Sequence, residues 1–165
     1  MPLEIERKFL VKNKDYRIGA RAKAIRQGFL NLDKNRLVRV RLSGDKAYIT
    51  VKGPDKGIQR LEFEYSIPPE EAVIMLDELC QKPLIEKTRY YVSFEGFTWE
   101  IDEFVGDNEG LIVAEIELEY EGQDFPQPGW LGLEVSGENR YYNASLVNYP
   151  YKSWKNSEKY QYIPE

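Results

Sequence analysis

Stretch after stretch of this chain carries charge on every second residue, and most stretches keep to one sign. Leu37–Leu42 sets Val38, Val40 and Leu42 against Arg39 and Arg41, and Arg60–Tyr65 sets Leu61, Phe63 and Tyr65 against Glu62 and Glu64. Further on, Lys87 and Arg89 share a face, Glu100 and Asp102 oppose Trp99 and Ile101, and Glu115, Glu117 and Glu119 oppose Ala114, Ile116 and Leu118. A period of two is the signature of a β-strand with two unlike faces. The opening stretch fits the scheme, with Leu3, Ile5, Phe9 and Val11 on one face and Glu4, Glu6 and Lys8 on the other. Arg7 is the one charge on its apolar side, where a long stem can cover apolar surface while the head reaches water.

A solvated sheet face would scatter its charges among Thr, Gln and Ser. Here the signs come in blocks, and like charges two apart on one face repel. Closing the sheet into a barrel with the charged faces inward accounts for the pattern, the apolar faces then packing outward. A charge taken out of water costs several kcal/mol unless it is compensated. The interior is therefore expected to be a wet tunnel whose groups neutralise one another or a ligand. Arg39, Arg41, Lys52, Lys87 and Arg89 suit a polyanion. The carboxylates suit a divalent cation bridging to the polyanion's oxygens, so metal-assisted phosphoryl transfer or hydrolysis is the expected reaction class.

Composition narrows the chemistry further. The chain has no histidine, which removes Ser-His-Asp and Cys-His catalysis and imidazole zinc sites. The net charge of −5, with no basic stripe interleaved with aromatics, argues against nucleic acid as the main ligand. The single cysteine, Cys80, excludes an internal disulfide and fits a reducing cytoplasm. No apolar run reaches membrane-spanning length and the start does not read as an export signal, so a cytoplasmic protein without a membrane partner is expected.

At 165 residues the chain suits one domain, taken as 1–151, followed by a polar tail over 152–165. Lys12–Ala24 reads as a polar connection ahead of a short strand, Ile25–Asn31. Ser43-Gly44-Asp45-Lys46 and Glu95-Gly96 read as turns. Pro68-Pro69-Glu70-Glu71 opens a helix whose apolar stripe is Ala72, Met75, Leu76 and Leu79. The Pro-, Gly-, Trp- and Tyr-rich stretch from Pro126 to Tyr151 is expected to hold short helices that pack on the sheet or plug it.

Glu4-x-Glu6-x-Lys8, followed in order by Arg39-x-Arg41, Lys52, Glu62-x-Glu64, Lys87-x-Arg89 and Glu115-x-Glu117, resembles the CYTH superfamily, the triphosphate tunnel metalloenzymes. Gln27-Gly28-Phe29-Leu30, Glu86–Tyr90, Trp130–Ser136 and Arg140-Tyr141-x-Asn143 look most like its short bacterial branch. The resemblance runs from Glu4 to about Tyr149. It implies an α+β fold: an eight-stranded antiparallel closed barrel with a few helices outside and a C-terminal helical segment. It also implies hydrolysis of inorganic triphosphate or a related triphosphate with Mg²⁺ or Mn²⁺, by a monomer or homodimer. Carried over by position, Lys8, Arg39, Arg41, Lys52, Lys87 and Arg89 bind phosphates, and Glu4, Glu6, Asp102, Glu115 and Glu117 hold metal. Lys8, Glu62 and Glu64 serve the catalytic step, the two glutamates at a second metal or an activated water. Alternatives on the same fold are a class IV adenylate cyclase, a thiamine triphosphatase, or a polyphosphate- or nucleotide-binding module without turnover.

One position departs from the branch, which reads Gln-Gly-Tyr-Leu with the tyrosine paired to the opening lysine. Phe29 has no hydroxyl, so either metal preference, substrate or rate shifts, or the ring simply fills the tunnel wall. Among the remaining charges, Glu100 and Glu119 extend the acidic faces toward a tunnel mouth, and Arg140 is within conceivable reach of a phosphate. Arg60 is expected at a strand end in water, and Glu134 as a structural hydrogen-bond partner.

Overall fold

Eight antiparallel strands close on themselves, in the ring order β1-β8-β7-β6-β2-β3-β4-β5 and back to β1, in a computed structural model that describes residues 2–159. They are β1 (Leu3–Val11), β2 (Arg21–Asn31), β3 (Leu37–Ser43), β4 (Lys46–Lys52), β5 (Gln59–Ile67), β6 (Ile85–Phe94), β7 (Phe97–Phe104) and β8 (Ile112–Glu117). A ninth, β9 (Leu131–Glu134), lies outside the ring against β1. Tight hairpins join β3 to β4 and β6 to β7. At the second, Glu95 and Gly96 both have positive φ (46° and 87°), the twist a two-residue hairpin loop needs and glycine supplies without strain.

The ring has one short seam. One edge of β1 pairs with β8 from Glu6 to Phe9. The other edge is divided: Leu3 to Ile5 pair with β5, and Phe9 to Val11 pair with β9. Glu134 of β9 takes both Nε and Nη2 of Arg7, at 2.8 and 2.7 Å, and accepts a further bond from Ser136. Arg7 therefore behaves as its place in the alternation predicts. Its guanidinium lies over Phe9 and Phe125 while its charge is paired on the outside.

Outward faces carry two of the three cores. Ile5, Phe9, Trp99, Ile101 and Ile116 pack with Tyr16 and Trp130, and Trp99 is fully buried between Phe9, Phe125 and Trp130. Val40 and Ala47 pack under a helix, α1 (Pro69–Ile74), which continues through one wider π turn, Met75–Leu79. Ala72 and Leu76 are buried as the helical stripe predicts, but Leu79 is 63% exposed. The extra residue in the π turn rotates the side chains after it around the helix axis, which carries Leu79 off the stripe.

The third core is the one that shapes the interior. Two residues along from Lys8, Gln27, Arg39, Lys87, Asp102 and Glu115, the inward positions turn apolar: Leu10, Phe29, Leu37, Ile85, Phe104 and Val113. These pack with Tyr141, Leu146, Val147 and Trp154 of the C-terminal segment, which includes the short helix α2 (Asn143–Asn148). The segment thus seals an apolar floor beneath the charged part of the barrel. Trp154, within the stretch read as a polar tail, is 4% exposed and rests on Tyr141 and Tyr151.

Two expectations need correcting. Arg21–Ala24, read as connection, is the first part of β2, because those residues pair with Tyr91–Thr88 of β6 although small and basic side chains give no apolar signal. Leu131–Glu134, placed among short helices, is a strand whose backbone pairs with β1. Gly28 is needed where β2 passes the end of α1's π turn, since a Cβ there would stand 2.7 Å from Cys80 Cβ and Leu84 Cδ2.

Candidate active site

The charged inward faces surround a cavity of about 310 Å³. Every site residue expected from the sequence lines it except Asp102, which lies behind its wall. Antiparallel register sets the local pairs. Glu6 stands opposite Glu117 and Lys8 opposite Glu115 across β1 and β8, while Lys52 stands opposite Glu62 across β4 and β5.

On the acidic side the carboxylates are crowded and short of countercharge. Lys8 Nζ donates to Glu6 at 2.9 Å and to Glu115 at 2.8 Å, and Lys52 Nζ donates to Glu4 at 3.1 Å and lies 3.2 Å from Glu62. Burial, reinforced by the charge of Glu115 and opposed by Lys8, pushes the Glu6 carboxyl up to about 8. Burial likewise raises Glu4, against the pull of Lys52 and with help from Glu62, and burial with the charges of Glu4, Glu62 and Glu100 raises Glu117. Burial works against Glu115 too, but Lys8 and Arg89 hold it well below the usual carboxylate range. Glu117 is exposed to the cavity and, among the described residues, belongs to no ion pair. Two lysines thus serve five carboxylates.

The opposite wall has the reverse imbalance. Asp102 accepts from Arg89 through both oxygens, at 2.7 and 2.9 Å, and its Oδ2 lies 2.8 Å from Lys87 Nζ. Arg39 donates through Nη2 to Thr50 at 3.0 Å and to Glu64 at 3.4 Å, while its buried Nε has no partner. Arg41 has no carboxylate partner among the described residues; its Nε donates to Gln27 at 2.7 Å. Burial and the neighbouring Arg39 and Arg89 guanidiniums press its affinity for the proton downward. Burial lowers Lys87 to about 7, with Asp102 opposing and Arg89 and Arg41 adding to the fall. Bringing these cations together costs free energy that an anion recovers.

The metal question turns on the oxygen donors. Glu4, Glu6, Glu115 and Glu117 present hard oxygens from two adjacent strands, a set that suits a hard divalent cation and not a softer metal. Among the described residues no three carboxylates converge into a finished ligand cluster; Lys8 bridges Glu6 and Glu115, and Lys52 bridges Glu4 and Glu62. Burial first, and then the charges of neighbouring carboxylates, raise the proton affinities of Glu4, Glu6 and Glu117, so these crowded oxygens fit a divalent cation. Asp102 does not fit, having both oxygens committed to cations behind the wall.

Sequence reasoning missed two residues. Arg60, expected in water at a strand end, lines the cavity and donates through Nε to the Gly53 carbonyl at 2.5 Å, with Asp55 at 3.5 Å. It was overlooked because the barrel's stagger brings a strand end over the opening. Asn143, at the start of α2, accepts from Gln27 at 2.7 Å and from Lys87 at 2.8 Å. Only its place in the Arg140-Tyr141-x-Asn143 motif pointed to it. Glu134 is the structural partner expected, and Arg140 pairs with Glu138 beside Tyr141 and Trp154, away from the cavity. Phe29 lines the cavity at 2% exposure and belongs to the apolar floor.

The family model described as the CYTH domain matches residues 2–148. The chain belongs to the CYTH family. Among CYTH proteins it is 54% identical over 155 residues to an inorganic triphosphatase of Acetivibrio thermocellus, covering 94% of this chain and 99% of that protein. It is 34% identical over 149 residues to an inorganic triphosphatase of Nitrosomonas europaea, covering 87% and 96%. A solved structure described as an inorganic triphosphatase superposes with a TM-score of 0.62 at 31% identity, covering 89% of this CYTH chain and 95% of that one. The closed eight-stranded barrel with one strand outside and few helices is the shared fold. Among the described residues, no helix is long and apolar enough to cross a membrane.

Proposed function

We propose that this CYTH protein is a metal-dependent hydrolase of inorganic triphosphate, with Mg²⁺ or Mn²⁺ as the metal. The observation that carries the reading is Arg41: a cavity-lining guanidinium with no carboxylate partner among the described residues, set beside Arg39, Arg89 and Lys87. That excess of positive charge in one wall calls for a polyanion, and the undercompensated carboxylates facing it call for a cation. A triphosphate with a divalent metal satisfies both.

In this reading Arg39, Arg41, Lys52, Lys87 and Arg89 bind the phosphates by charge-assisted hydrogen bonds. Lys8, between Glu6 and Glu115, would touch the terminal phosphate and keep two ligand carboxylates oriented. Glu4, Glu6, Glu115 and Glu117 would hold the metal, which when bound neutralises phosphate oxygens and polarises the phosphorus under attack. Glu62 or Glu64 takes a proton from the attacking water. The water oxygen bonds to the terminal phosphorus as the anhydride P–O bond breaks, and phosphate and pyrophosphate leave. Asp102 is a counter-ion that orients Lys87 and Arg89. The identities of relatives named inorganic triphosphatase support the substrate.

Phosphate release from triphosphate, ATP and thiamine triphosphate, measured with Mg²⁺, Mn²⁺ or EDTA, tests the reading. Fast release from triphosphate that EDTA abolishes is expected. Tight triphosphate binding by calorimetry with no release under any metal would replace the enzyme with a binding module.

A further inference from the structure

The cations of the phosphate wall are not held by carboxylates alone. A chain of hydrogen bonds runs from Arg41 Nε to Gln27 Oε1 (2.7 Å) and from Gln27 Nε2 to Asn143 Oδ1 (2.7 Å). The same Asn143 oxygen accepts from Lys87 Nζ (2.8 Å), which in turn lies 2.8 Å from Asp102. The polarity of this chain is forced. Arginine and lysine only donate, so Gln27 must turn its oxygen to Arg41, which leaves its amide to donate to an oxygen on Asn143. Gln27 is fully buried and the Lys87 side chain is 1% exposed, so water does not compete for these positions. Lys87 has three N–H groups; Asn143 takes one and Asp102 lies 2.8 Å from the ammonium, so donor capacity is left for whatever enters the cavity.

Four members of the chain stand on barrel strands, and Asn143 does not. It comes from the C-terminal segment, whose Leu146 and Val147 are locked into the apolar floor. The segment that seals the barrel thus also reaches the one acceptor site that Gln27 and Lys87 share.

We propose that Asn143 is a positioning residue for substrate: through its shared oxygen, and with Gln27 as intermediary, it fixes where the Lys87 ammonium and the Arg41 guanidinium stand in the cavity. This rests on the reading of the cavity as a triphosphate site. The docked C-terminal segment is then part of the phosphate grip as well as a lid on the core.

A double-mutant cycle with triphosphate binding in EDTA tests it, using calorimetry on the full chain together with thermal unfolding. Asn143→Ala is expected to weaken triphosphate about tenfold, since small displacements of charged contacts are expensive. In a Lys87→Met background the same change is expected to add far less, because the residue it acts through is gone. Asn143→Ser, too short to reach both donors, repeats the measurement if the alanine variant does not fold. Unchanged affinity in the Asn143 variant, or an equal loss with and without Lys87, would overturn the proposal. If the unaltered protein fails to bind triphosphate in EDTA, this inference falls; if it also releases no phosphate from triphosphate with Mg²⁺ or Mn²⁺, the functional reading falls as well.

Discussion

The Asp102 carboxylate lies 2.8 Å from Lys87 Nζ, and both side chains are 1% exposed. Arg89 completes the arrangement through two hydrogen bonds to the same carboxylate. One anion therefore serves two cations in the driest part of the charged wall.

Asp102→Asn leaves Lys87 buried without a carboxylate and Arg89 with only Glu100, 3.2 Å from its Nη1. Breaking a buried pair in this way costs about 3–5 kcal/mol, which should lower the melting temperature by roughly 6–20 °C. Mn²⁺ affinity is expected to stay unchanged, because Asp102 faces cations and not the cavity. Thermal unfolding and Mn²⁺ titration of the variant check both halves, and a loss of metal affinity would return Asp102 to the ligand set.

Arg41→Ala separates binding from stability. Removing a charge-assisted contact worth about 1.5–3 kcal/mol should weaken triphosphate by about 10- to 150-fold. The variant also relieves repulsion from Arg39 and Arg89, so its melting temperature is expected to hold or rise. An unchanged Michaelis constant would count against a phosphate role.

Glu117→Gln keeps the shape of an exposed, cavity-lining side chain and removes its charge. Metal-dependent turnover should vanish while circular dichroism and unfolding are preserved. Full activity in this variant would sink the metal assignment.

The pH dependence of metal uptake follows from Glu6. Burial and Glu115 raise its carboxyl to about 8, so below that pH the group is protonated and a metal must displace the proton. Without substrate, Mn²⁺ affinity should therefore rise as pH increases toward about 8 and level off above it. Below that pH binding should release protons, a release seen as a buffer-dependent heat in calorimetry. A pH-independent affinity between 6 and 8 would mean that Glu6 stays ionised without metal.

Much of this was legible because alternation is a local signal. Arg39 and Arg41, or Glu115 and Glu117, share a face whatever lies beside them, and their like sign points to an interior with a ligand. Register is not local. Asp102 alternates like a metal ligand, yet Arg89 is its directly opposed partner across β6 and β7, a pairing that depends on hairpin geometry. Asn143 carries no periodic signal, standing in an aromatic-rich stretch where its importance comes from where Leu146 and Val147 dock. Arg21–Ala24 escaped notice for a related reason: the strand exists through its partner β6, not through its own apolar residues.

The divided edge of β1 has a consequence for synthesis. Its partners are β5, β8 and β9, so the earliest of the described strands has none of them to pair with until β5 (Gln59–Ile67) has been made. Glu4, Glu6 and Lys8 therefore spend the interval in solvent, where ionised groups are at ease and apolar ones would invite aggregation. A strand with charge on one face is suited to that wait. Asn143 is likewise synthesised after every cation of the wall it helps to arrange.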